Sequence, residues 1–109
     1  MDQSQNNLVT RSQELQTTFE ELLGSRNVYY NPPPSVKMRY DAIVFARSGI
    51  ENTYANNAVY GQSHRYEVTT ITEDPDAEII EKVSRLPRCS FDRHFVSDNL
   101  HHNVFTLYR

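Results

Sequence analysis

A single cysteine, no tryptophan and only three glycines set the first limits on this chain of 109 residues. One thiol, Cys89, excludes an intramolecular disulfide framework and cannot by itself build a cysteine-rich zinc site. The glycines at 24, 49 and 61 stand too far apart to form a phosphate-cradling loop. No window approaches the ~18 apolar residues of a membrane span, and the first residues lack the charged-then-apolar order of a signal peptide. Basic residues are also in deficit: 11 Lys and Arg against 14 Asp and Glu give a net charge of -3. That balance argues against a duplex-binding module, which normally concentrates its basic residues on one face.

Apolar residues are scarce too, roughly a third of the chain by the conventional set against the ~45–50% of a typical domain. Leu, Ile, Val and Phe still make up about 24%, above the ~20% below which disorder is the better expectation. The chain is therefore expected to fold in a cytoplasm as one domain, residues 1–109, on a thin core completed by partners.

What is there reads as alternating elements. Leu8, Leu15, Phe19, Leu22 and Leu23 fall at helical spacing, with Asp2 or Ser4 as candidate caps and Gly24 at the end. Val28 to Tyr30 is a short extended piece, and Pro32, Pro33 and Pro34 make a stiff connector. Tyr40 to Arg47, centred on Ile43, Val44 and Phe45, predicts a buried strand. Residues 65–72 predict another, with Tyr66, Val68 and Thr70 on one face.

Between these strands lie 17 residues, 48–64, rich in turn formers. They read as a long inter-strand loop or the tip of a long hairpin. Asp74 and Pro75 suggest a helix start, Ile79, Ile80, Val83 and Leu86 its apolar stripe, and Pro87 its stop. Two closing strands, 89–97 and 102–108, are expected to turn around residues 98–101, with Phe91 and Phe95 on one face. The expected fold is α+β: an antiparallel-rich sheet of about four to five strands, two helices packed on it and a long inter-strand loop.

No active site stands out. His94, His101, His102, Asp92 and Asp98 suggest a metal site, but His101 and His102 are adjacent and so point to opposite faces of a strand. Histidines at a polar hairpin tip are the ordinary reading. Cys89 with His94 and Asp92 or Asp98 makes a triad on paper, yet no helix start or oxyanion loop is placed to activate the thiol. The tyrosines suit an interface better than a base-stacking platform, because stacking platforms come with basic grooves. Tyr54 and Tyr60, with Arg47 and Arg65 at the base of their segment, are the candidate partner-binding residues.

The segments KMRYDAIVF (37–45), RYEVT (65–69), DPD (74–76), LPRCSFDRHF (86–95) and DNLHHNVFTLY (98–108) resemble tail terminator proteins of long-tailed bacteriophages. These are also called tail completion or tail-to-head joining proteins. The resemblance spans residues 37–109 and is most specific in the last third. It implies a structural virion protein, a ring, usually of six subunits, that ends tube growth at the head-proximal end of the tail and joins it to the connector. Such a protein is not an enzyme and needs no cofactor. Its implied partners are further copies of itself, the tail tube protein and a head-completion or connector protein. The implied location is the neck of the virion, after assembly in the host cytoplasm, with DNA passing through the channel without specific binding.

Three alternatives compete with this reading. One is a head-side connector protein, and another a metal-dependent hydrolase or nuclease using Asp92, His94, Asp98 and His102. The third is a monomeric ferredoxin-like binding module.

Overall fold

The computed structural model describes residues 9–109. Its first helix, α1 (Arg11–Leu23), starts where Thr10 closes a capping box. The Thr10 hydroxyl accepts the Gln13 amide at 3.2 Å, and the Gln13 side-chain oxygen accepts the Thr10 amide at 3.0 Å. Two donors that a helix start leaves unpaired are thereby satisfied. Asp2, Ser4 and Leu8, expected in this helix, lie outside the described residues. Gly24 ends the helix at φ 76°, a left-handed position that glycine adopts without penalty. Thr10→Ala is expected to cost about 1 kcal/mol in urea unfolding, the usual value of a lost N-cap.

Five strands form one sheet in the order β1-β2-β3-β5-β4. They are β1 (Val28–Tyr30), β2 (Ala42–Ala55), β3 (Ala58–Thr72), β4 (Cys89–Ser97) and β5 (Leu100–Tyr108). β1 runs parallel to β2, and all other neighbouring pairs are antiparallel. With α1 and a short second helix, α2 (Glu78–Ser84), the fold is α+β.

The register explains the core. One row, Tyr30–Phe45–Val68–Phe105–Phe91, crosses all five strands on the helix side. Phe45, Val68 and Phe105 in that row are almost fully buried. Leu15 and Phe19 of α1 and Ile79 and Val83 of α2 close over them, so both helices spend their apolar stripes on one face of the sheet. The Phe45 ring is the hub, 5.1 Å from Phe19, 4.8 Å from Tyr30 and 6.2 Å from Tyr66 between centroids.

Four expectations are corrected. Residues 48–64 are the tip of a long hairpin, the second of the two expectations, and not a loop: β2 and β3 continue through them as a two-stranded ribbon, closed by Asn56 and Asn57 at φ 53° and 62°. Two positive φ values match the twist of a hairpin, and asparagine tolerates them better than most residues.

The last hairpin turns the same way on two residues, Asp98 and Asn99, instead of four. Asp74 does not cap α2, whose N-cap is Ala77. Asp74 instead holds a preceding turn, its carboxylate accepting the Asp76 amide at 2.8 Å. Phe91 and Phe95 do not share a face, because a bulge between Phe91 and Arg93 inserts Asp92 and reverses the alternation. Phe91 packs edge-on to Phe105, whereas Phe95 stacks on His102 on the far side of the sheet.

Candidate functional site

The ribbon is the most conspicuous candidate. β2 is flanked by β1 up to Phe45 and β3 by β5 from Arg65 onward, and the chain end extends this pairing through two Arg109–His64 backbone bonds of 2.8 Å. Beyond that point only two strands remain. Seven residues each way project ~23 Å at the antiparallel rise. The molecule measures 50 × 36 × 25 Å, with a radius of gyration of 15.7 Å against the ~13 Å of a compact chain this long.

Every residue from 51 to 60 is exposed. Tyr54, Val59 and Tyr60 expose 64%, 55% and 78% of their surface, and Ile50 48%. A lone two-stranded ribbon is marginal in water, and this one places apolar side chains in solvent.

Tyr54 and Tyr60 belong to the ribbon and Arg47 and Arg65 to its base, and the four do not form one patch. Arg47 pairs with Tyr66 on the helix side, whereas Arg65 pairs with Gly49 on the opposite face. Arg65 is committed locally. Its guanidinium donates to the Ser48 hydroxyl and carbonyl, both at 3.1 Å, and lies 3.8 Å from Glu51. Gly49 makes room for it, since a Cβ there would meet the guanidinium at 2.8 Å. Tyr54 stands on the helix side, and Tyr60 occupies an irregularity opposite Thr53 and Tyr54.

A polar ladder runs down the same side as Tyr54. The His64 ring Nε2 meets the Gln62 side-chain oxygen at 3.0 Å, Gln62 donates to Asn52 at 3.0 Å, and Asn52 donates to the Tyr54 hydroxyl at 3.5 Å. At its inner end lies a second candidate that sequence reasoning missed, a cleft of about 630 Å³ between the start of α1 and the sheet. Arg11, Arg47, His64 and Arg109 line it. These residues are far apart in the sequence, so no local motif marks them.

The histidine and cysteine readings resolve differently. His94 and His101 touch, with ring nitrogens 3.1 Å apart, while His102 faces away onto Phe95. Among the described residues no three histidine, cysteine or carboxylate side chains gather as a metal site would require. Cys89 pairs with Leu107 and His94 with Asn103, which separates them by ~13 Å along the sheet. Burial pushes the Cys89 thiol up, away from the reactive thiolate.

Glu51 sits in the ribbon, while Glu73, Asp74, Asp76 and Glu78 lie around the turn that leads into α2. No described helix is long and apolar enough to cross a membrane. The chain matches no protein-family model and, at a significant level, no curated protein.

Proposed function

We propose that this chain is a structural subunit of a phage tail neck, a tail-terminator-like protein that closes into a ring, with six copies as the expected number. The observation that carries the reading is the ribbon, an arm with exposed Ile50, Tyr54, Val59 and Tyr60 and with outer edges unpaired among the described residues. Such an arm gains most by lying on another protein. The same molecule offers an open edge that could take it: β4 is an edge strand that leaves Phe91, Phe95 and Val96 exposed. Arm and edge are different patches, so a one-way contact between them is head-to-tail, the kind that makes a ring when the rotation closes. The resemblance of residues 37–109 to tail terminators supplies the biological setting, with the tail tube and a head-side connector as further partners.

The charge fits a conduit. Each subunit carries -3, so a ring repels phosphates and lets DNA slide instead of gripping it. Light scattering over a concentration series tests the assembly. A species near 76 kDa, about six times the chain mass of 12.7 kDa, is expected at high micromolar concentration. A strict monomer across the whole series overturns the ring.

A further inference from the structure

We propose that the cleft between the start of α1 and the sheet is an oxyanion site, built to take one carboxylate, phosphate or sulfate group. Three arginines from three distant segments line it: Arg11 on α1, Arg47 on β2 and Arg109 after β5. None makes an ion pair among the described residues, so their charges are not neutralised by a neighbouring side chain. Glu14 is the one side-chain carboxylate in the lining, so the lining side chains carry a formal excess of two positive charges before His64 is counted. The cleft also opens at the amino-terminal end of α1, a helix of 13 residues, where the backbone dipole favours an anion.

His64 is the independent observation. It lines the cleft, only 8% exposed, and its Nδ1 atom is buried with no hydrogen-bond partner. The other ring nitrogen, Nε2, is held by the Gln62 side-chain oxygen, so in the neutral ring the proton resides on Nε2 and Nδ1 carries a bare lone pair. Such an unsatisfied buried group is costly. A proton on Nδ1 turns His64 into a cation with both nitrogens donating, and a negative charge held in the cleft favours that form.

In the empty cleft the imidazolium is disfavoured: burial first, then the charges of Arg11 and Arg47, hold His64 below the usual histidine range. An anion beside Arg11 and Arg47 offsets the second cause. Anion binding and proton uptake are therefore one coupled event. Tyr30 and Tyr66 also line the cleft, and the Tyr66 ring stacks on His64 with centroids 6.4 Å apart.

Two sources supply such a group: a small anion free in solution, or a second copy's acidic turn with Glu73, Asp74, Asp76 and Glu78. The turn cannot reach its own cleft, because His64 and Thr72 are eight residues apart on β3, ~26 Å at the strand rise.

The test uses sulfate, which does not titrate near neutrality, with chloride at equal ionic strength as control. His64 is followed by NMR. Saturable sulfate binding is expected to raise its titration midpoint by about one unit or more, so that sulfate binds about tenfold more tightly below the free midpoint than above the bound one. Arg11→Gln and Arg47→Gln, both at exposed positions that put no core at risk, are expected to weaken the response about tenfold each. A His64 midpoint indifferent to sulfate, or a response unchanged in both variants, overturns the site.

A second arm identifies the source and alone rests on the assembly proposed above. If sulfate dissolves the assembly and Asp74→Asn/Asp76→Asn prevents it, the neighbour's turn is the occupant. If assembly ignores both while His64 still responds, the occupant is a small anion. A chain that never assembles yet shows the sulfate response fails the ring reading and keeps the site.

Discussion

Replacing residues 51–63 with an Asn-Gly turn should leave the monomer folded and abolish assembly completely. The expected loss is total, because the change removes Tyr54, Val59 and Tyr60 together while keeping the last flanked pair, Ile50 with His64. The cost to the fold is small. The deleted residues contribute nothing to the buried core, and the Arg65–Glu51 ion pair that disappears with them is half-exposed and of little value. Circular dichroism should report a strand signal lowered only by the strand residues removed, and a melting temperature within a few degrees of the parent. Sedimentation should report only monomer. A truncated chain that still assembles would move the interface elsewhere, with the β4 edge the first place to look.

The second large effect is on stability. Phe45→Ala is expected to cost about 3–5 kcal/mol, since its ring touches α1, β1 and β3 at once and nothing nearby can collapse into the space. A thin-cored domain with total stability in the range of about 5–15 kcal/mol would lose a large part of it. Phe91→Ala supplies the contrast. It lies in the same cross-strand row, but its side chain is 56% exposed at the sheet edge, and its loss should shift urea unfolding far less. Equal effects of the two substitutions would mean that the row is not organised around Phe45.

The contrast between these two phenylalanines shows what was legible in the sequence. Ile43 and Phe45, Tyr66 and Val68, Leu15 and Phe19 carried clear periodicity because burial selects for it, and those elements stand where the pattern puts them. The ribbon carried no such signal. Its strands bury nothing, so polar residues fill them and turn formers abound, and only Asn56 and Asn57 among those turn formers actually turn. The bulge at Asp92 was equally invisible, since one inserted residue leaves composition untouched while exchanging the faces of everything after it.

For Asp74 the Asp-Pro signal was real but served a turn four residues before the helix. The exposed Tyr54 and Tyr60 could be named as candidates from the sequence because they belong to one segment. The cleft could not, because Arg11, Arg47, His64 and Arg109 meet only once the sheet has formed.

That same bulge also bears on how the protein survives at high concentration before it has found its partners. An exposed edge strand with a flat row of aromatics is a template for indiscriminate strand addition, the first step towards aggregates. On β4 the inserted Asp92 breaks the row. Phe91 and Phe95 are sent to opposite faces, and the charged pair Asp92–Arg93, 2.6 Å apart, interrupts the edge between them. A straight peptide seeking a regular ladder meets an irregular register and a charge. A partner shaped to the irregularity does not, so the edge discriminates between a correct neighbour and a chance one.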